Sequence, residues 1–408
     1  KPANILSESN DDSTSTSVNT FVDIDVLAND NVPGTLTITS TNNPIHGTAA
    51  IISGTPDVIR YTPNTGFGGL DFFDYTISNG AGDVGTATVT VTVDGDLYVT
   101  SFDDSSVFRY DGTSGTFVSE FVTSGLGGLN LAHDTTFGPD GNLYVASWNS
   151  FHIKRYDGTT GAFDDNFATP NSPTGMTFGP DGNLYVGSWN SGNVQKIDGT
   201  TGASLGTFAG VPQPQGLTFG PDGHLYVSSL NGNLVHRFDG STGGFLEAFV
   251  KSGANGLSQP RDITFGPDGN LYVVSQATND VKRYDGRDGS FIDVFASGGG
   301  LSAPRGIEFG PDGNLYVGSF NSDTIVRFNG VTGVLIGTFV SAGSGGLNAP
   351  YFFTFGSVGT PPPKQWDGNG DGVNWSDAVN WEPDGVPLST DEVIIDDSFV
   401  VSPTVHLD

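Results

Sequence analysis

Two kinds of chemistry lie within reach of the side chains of this 408-residue chain. The first is recognition. Trp148-Asn149 and Trp189-Asn190 each set an indole beside a carboxamide, a pairing that can stack on a sugar ring and hydrogen-bond its hydroxyls. Arg261 and Arg305 offer guanidinium forks to an anionic group, with His133 and Gln215 as further polar candidates. The competing assignment wedges both tryptophans between blades and pairs both arginines with Asp134 or Asp262. The second chemistry is cation binding. Asp367-x-Asn369-x-Asp371-Gly372 puts oxygen ligands on alternate residues with Gly at the sharp turn, as in the first half of a Ca²⁺ loop. Its second half departs: the twelfth position is Ala378, and the nearest carboxylate is Asp377. A Gly-rich turn is the alternative there. No nucleophile–base pair is visible anywhere.

The elements that must position these residues follow from a repeat. Phe-Gly-Pro-Asp-Gly-Asn-Leu-Tyr-Val stands in full at Phe137–Val145, Phe178–Val186, Phe265–Val273 and Phe309–Val317. It recurs with His224 for Asn at Phe219–Val227, and a remnant survives at Asp94–Val99. Pro presets φ for the turn, Asp accepts local backbone hydrogen bonds, and Gly takes the left-handed φ that closes it. Leu-Tyr-Val then reads as a strand buried on both faces. The repeated leucines fall at 97, 143, 184, 225, 271 and 315, a period that matches a four-stranded propeller blade. The first unit has no opening strand, because Asp94 follows directly on an earlier domain. The missing strand stands at the other end, at 351–357. The expected fold is therefore all-β: a β-sandwich, a six-bladed β-propeller closed by that C-terminal strand, and a short C-terminal β segment.

Composition narrows the partners. The net charge of −30 repels phosphate backbones, which argues against nucleic acid. Many of the aspartates sit in Asp-Gly turns, and the charge accumulates as a by-product of turn chemistry. The chain has no cysteine, so neither disulfides nor thiolate metal sites are available. No apolar run is long enough to span a membrane as a helix. No signal peptide is visible and the first residue is Lys1, which reads as a mature product or a fragment.

In chain order, residues 1–17 read as a linker or extended arm, 18–93 as the sandwich, 94–359 as the propeller, and 360–408 as a Pro linker with a β-solenoid-like segment. Asp25–Asp30, Tyr61–Asn64 and Phe67–Tyr75 carry a resemblance to the cadherin-like (immunoglobulin-like) modules of bacterial adhesins. It implies a spacer or adhesion unit. Asp25–Asn31 could hold Ca²⁺ or form an ordinary turn. The repeat, with the Arg-aromatic-Asp-Gly-Thr-x-Gly copies at Arg109–Gly115, Arg155–Gly161 and Arg237–Gly243, resembles six-bladed propellers of the NHL-repeat type. That resemblance speaks to fold and hardly to function. Trp366–Trp381 with Val386-Pro387 resembles the opening of β-solenoid regions in autotransporter-like surface proteins.

The layout also divides the propeller into two ends. Pro-Asp-Gly and Asp-Gly-Thr-x-Gly turns share one end and hardly vary. The other end carries the variable loops Gly125–Ala132, Lys251–Pro260, Ser297–Pro304 and Ser341–Pro350, and is the expected binding face. Along the inner strands Thr136, Thr177, Thr218, Thr264 and Thr354 match, with Glu308 the exception. The preferred reading is a non-catalytic, extracellular structural or adhesion protein, secreted or surface-attached. Its propeller is a rigid scaffold or recognition disc, and its terminal strands, Ile5-Leu6 among them, associate end to end. The alternatives are a glycan- or peptide-binding adhesin, and a propeller hydrolase or lyase with a metal in its channel. Apart from Ca²⁺ no cofactor is expected.

Overall fold

A computed structural model describes residues 9–17, 20–30, 35–44, 47–54, 56–64, 68–79 and 84–356, together with the short strands Lys364–Trp366, Trp381–Glu382 and Val393–Ile394. No α-helix occurs among them. The N-terminal module is a two-sheet sandwich. One sheet orders Asp12–Ser17, Val84–Asp94, Gly69–Ser78 and Thr37–Thr41; the other orders Val22–Ile24, Val58–Pro63 and Gly47–Ile52. Period-two alternation builds the core: Val89, Val91 and Val93 from one strand meet Phe73, Tyr75 and Ile77 from its neighbour.

Two details depart from expectation. The segment assigned to a linker or arm at 1–17 contains a strand, Asp12–Ser17, paired parallel to Val89–Asp94. Its polar Asp-Ser-Thr sequence carries no hydrophobic alternation. Ladder hydrogen bonds and not burial hold it, so periodicity could not reveal it. Phe21–Leu27, which reads as a strand in the sequence, is one only over Val22–Ile24. Val26 is buried within a turn where Ala28 N donates to Asp25 O and Asp30 N to Leu27 O.

Gly95 alone separates the last sandwich strand from the first propeller strand, Asp96–Ser101. The propeller has six four-stranded sheets. Five are continuous in sequence, and their inner strands are Ala132–Phe137, Pro173–Phe178, Pro214–Phe219, Pro260–Phe265 and Pro304–Phe309. The sixth combines three strands from Asp96 to Val122 with Pro350–Gly356 as the inner strand. There Leu97, Tyr98 and Val99 pair with Phe355, Thr354 and Phe353, the register of Leu143, Tyr144 and Val145 against Phe137, Thr136 and Thr135. The inner strand Pro350–Gly356 packs between Pro304–Phe309 and Ala132–Phe137, which shuts the ring.

The repeated Leu-Tyr-Val now has a packing reason. Leu and Val face one neighbouring blade and Tyr the other, so Tyr98 joins a core with Leu143 and Val145, and Tyr316 joins one with Leu97 and Val99. Each tyrosine ring stands edge-on between two phenylalanines, as Tyr272 does between Phe295 and Phe309, both at 4.9 Å. The two turn types share one end as expected. A Cβ on Gly158 would lie 1.8 Å from the carbonyl oxygen of Gly141, so only glycine permits that contact.

Candidate functional site

Every inner strand carries a β-bulge in its first turn of pairing, between Ala132 and Thr135 and at the five equivalent places. A bulge breaks the ladder and re-aims side chains. Here it gathers the second residue of each inner strand into a ring: His133, Thr174, Gln215, Arg261, Arg305 and Tyr351. A second ring comes from the residue after each second strand and includes Phe102, Trp148, Trp189, Gln276 and Phe320.

The two rings mesh. Arg261 donates through Nε to Gln276 Oε1 at 2.5 Å, and through Nη1 to Gln215 Oε1 and to Tyr351 Oη, the latter at 3.0 Å. Arg305 Nη1 donates to the same Tyr351 oxygen at 3.1 Å, and its guanidinium lies 4.4 Å over Phe320 and 4.8 Å over Tyr351. Tyr351 stacks on Phe102 and meets His133 at 4.1 Å between ring centroids. His133 stacks in turn on Trp148 at 5.4 Å, and Trp148 leans on Trp189 at 5.6 Å. His133, Gln215, Arg261, Arg305, Trp148 and Trp189 thus form one contiguous network through Tyr351, with His133 and Gln215 buried within it. Asn149 and Asn190 do not join it in the expected way. Their amides turn back to Asn130 at 3.4 Å and to Ser172 at 2.6 Å, in the loop before the same blade.

Neither arginine pairs with Asp134 or Asp262, because the bulges claim those carboxylates. Asp134 accepts from Thr135 N and Met176 N, both at 2.7 Å, and Asp262 from Ile263 N at 2.9 Å and Ile307 N at 3.1 Å. Each aspartate therefore satisfies a freed amide in its own blade and one in the next. Every other arginine among the described residues has an acidic partner. Burial pulls Arg261 down to about 10, opposed by Tyr351 and reinforced by Arg305. His133 is 1 % exposed, and neither ring nitrogen has a partner within the protein. Burial, then the charges of Arg261 and Arg305, push its pKa well below the ordinary histidine value, so it stays neutral.

Glu308 accepts from Phe355 N at 3.2 Å and Thr354 Oγ1 at 3.5 Å. Burial, and then the charges of Asp262 and Asp134, raise its pKa well above the usual carboxylate range. Burial raises Asp262 to about 7 and pushes Asp134 well upward, with Asp262 adding to the shift at Asp134. Among the described residues no group of three His, Cys, Asp or Glu side chains has metal-binding geometry. The Ca²⁺ candidates Asp367, Asn369, Asp371 and Asp377 lie outside the described residues.

Sequence reasoning missed Tyr351, the hub of the site, and its partners Phe102, Phe320 and Gln276. The signal was present, since each occupies the aligned position of its blade. The long loops stand at the mouth end as expected: Trp148 N donates to Leu131 O at 3.1 Å, Gln276 N to Gln259 O at 3.3 Å and Phe102 N to Ala349 O at 3.2 Å. Gly127 sits on the ring of Phe163, Gly345 on that of Phe117 and Gly299 on Leu335, while Leu129, Leu257 and Leu347 are buried. Part of each loop thus packs into a cleft between blades, with Leu129, Leu257 and Leu347 in the cores there.

Fold and site together define a propeller of six blades with an aromatic and cationic mouth. Residues 135–335 match the family described as the Virginiamycin B lyase family, and residues 4–92 match the Bacterial Ig domain. The chain thus carries a bacterial Ig domain followed by a propeller similar to that lyase family. Among solved structures, a protein of unknown function from Bacteroides caccae aligns with a TM-score of 0.52 at 12% identity, over 64% of this chain and 98% of that one. A chain of a nidogen/laminin complex aligns with a TM-score of 0.51 at 16% identity, over 64% and 97%. Virginiamycin B lyase from Staphylococcus aureus, a catalytically inactive histidine-to-alanine variant with quinupristin, aligns with a TM-score of 0.45 at 19% identity, over 60% and 84%. At these identities the likeness is one of fold. No curated protein matches the chain.

Proposed function

We propose that this chain is a non-catalytic extracellular surface protein in which the Ig domain is a spacer and the propeller mouth a recognition site. One observation carries the reading: Arg261 and Arg305 sit side by side without an acidic partner, joined through Tyr351 and His133 to two half-buried tryptophans. Such a surface suits ligand binding, where aromatic faces and guanidinium groups contribute most per residue. The groups that would have to do chemistry are engaged elsewhere. Asp134 and Asp262 are held by backbone amides, and His133 is sealed and has neither a hydroxyl nor a carboxylate partner. General base catalysis needs a base within hydrogen-bond reach of the proton it takes.

Two measurements test the reading. A glycan and peptide array should return ligands whose binding falls when Trp148 is replaced by alanine; an array without hits removes the recognition role. Incubation with quinupristin, followed by mass spectrometry, should leave that compound unchanged, and turnover would make the chain an enzyme of the lyase kind. As part of the same proposal, the 367–377 segment takes Ca²⁺ and terminal strands link copies end to end. A melting temperature indifferent to EGTA, or a clean monomer by light scattering at high concentration, removes these two points in turn.

A further inference from the structure

The recognition reading leaves the ligand open, and the charge arrangement narrows it. The described part of this strongly acidic chain contains nine arginines. Seven of them lie against carboxylates. The two that do not are neighbours, both donating to the hydroxyl of Tyr351. Two guanidinium groups that converge on one neutral oxygen repel each other, and Arg305 counts among the causes that lower Arg261. Without a counter-charge that arrangement costs stability. Nor are their donors used up. Arg305 Nε is buried without a partner, and so is the one N–H that the neutral His133 ring carries; a buried donor of this kind is destabilising until an acceptor arrives. The nearest carboxylates, Asp134 and Asp262, are held by backbone amides and unavailable to them.

We propose that the channel mouth is an oxyanion site for an acidic glycan, with Arg261 and Arg305 taking a sugar carboxylate and Trp148 and Trp189 stacking a neighbouring ring. The proposal rests on the recognition reading and names its ligand class. Trp148 lies two ring contacts, and Trp189 three, from the Tyr351 ring that joins the arginine pair, so an oligosaccharide spans the site better than a single sugar. An acidic peptide fits less well, because the site offers flat aromatic faces at Trp148 and Trp189, which suit the face of a sugar ring.

The test uses the whole chain and four probes: a galacturonate hexamer, its fully methyl-esterified form, inorganic phosphate and an Asp/Glu hexapeptide. Trp148 and Trp189 are two of the five tryptophans, so the mouth signal is the part of the fluorescence change that Trp148→Phe with Trp189→Phe removes. The free-acid hexamer should quench or shift that fluorescence and bind at least about tenfold more tightly than the ester, as expected for loss of a charge-assisted pair. Arg261→Met with Arg305→Met should remove that preference while leaving the melting temperature within a few degrees. Equal binding of acid and ester overturns the oxyanion assignment but leaves a recognition site. Preference for the hexapeptide, or for phosphate alone, overturns the glycan class. No binding of any probe overturns this proposal, whereas the recognition reading then stands or falls with the array. Should the double variant fail to fold, the acid–ester comparison on the unaltered chain still decides.

Discussion

The two ends of the propeller use the same residue types to opposite effect. At the turn end five of the six blades repeat one closed unit: Asp268 accepts from the Tyr272 hydroxyl at 3.0 Å and from the Asn270 amide at 2.7 Å, and meets Arg283 at 3.5 Å. Asp140, Asp181, Asp222 and Asp312 do the same for their tyrosines, with Arg155, Lys196, Arg237 and Arg327 as cations. At the mouth two arginines share a tyrosine hydroxyl with no carboxylate at all. Full pairing at one end and deficit at the other separate a structural seam from a surface poised to bind. A group satisfied inside the fold has little left to offer a ligand, whereas an unsatisfied buried donor gains most when a partner arrives.

The largest effect that would sharpen this contrast is at the turn end. Tyr272→Ala removes a fully buried ring from between two phenylalanines and should cost about 3–5 kcal/mol, read from urea unfolding. Arg305→Met at the mouth should change stability by less than about 1 kcal/mol in either direction, since it relieves repulsion while losing stacking. If the two costs were similar, the contrast would fail.

Next in size is Asp268→Ala, expected to cost about 1–3 kcal/mol by stranding the Tyr272 hydroxyl and the Asn270 amides. Ligand binding at the mouth should be unaffected, which titration on the variant checks.

The third prediction concerns pH, where the two carboxylate populations pull in opposite directions. Burial works upward on Asp181, but hydrogen bonds from Lys196 and Asn183 outweigh it and hold it down at about 2. Its contribution is present above the unfolded value of 3.8 and lost as pH falls towards 2. Asp262, raised to about 7 by burial, binds its proton more tightly in the native state, so stability falls as pH rises from 3.8 to about 7. The melting temperature should therefore be higher at pH 5 than at pH 8, and the difference should survive about 0.5 M salt, which screens surface charge. Asp262→Asn should shrink the slope. A flat profile between pH 5 and pH 8 would show that Asp262 is ionised throughout.

The smallest effect lies at the ring closure. The first blade lacks the Pro-Asp-Gly turn because two distant chain segments meet there, and the Tyr98 hydroxyl is left buried without a partner. Tyr98→Phe should be neutral or gain up to about 1 kcal/mol, whereas Tyr144→Phe, which loses the bond to Asp140, should cost about 1 kcal/mol. Comparing the two by denaturant midpoint measures what the turn-end unit contributes.

Much of the architecture was legible before any coordinates. Leu-Tyr-Val recurs because each blade must present two aliphatic residues to one neighbour and a tyrosine to the other, a constraint that leaves its mark on every copy. The closing strand was legible for the same reason, since Pro350–Gly356 keeps the inner-strand pattern although it stands far from Leu97 in the chain. The strand Asp12–Ser17 was not, because ladder bonds leave no hydrophobic trace. The loops at Gly125 and Ser341 stand at the mouth end as read, but that part of each packs into a cleft was not legible, since glycines that lie flat on Phe163 and Phe117 look the same in a sequence as glycines of a free loop.

By itself the sequence determined the sandwich, the repeated blade, the number of blades and how the ring is shut, because these follow from periodic burial and turn chemistry that are local. Which charges are paired was decided only in three dimensions. Asp262 is adjacent to Arg261 in the chain, yet the bulge turns its carboxylate to the amides of two blades and sends the guanidinium to Tyr351, ninety residues away. Partner choice depends on where bulged backbone leaves a donor unsatisfied, and that is a property of neighbouring strands, not of neighbouring residues.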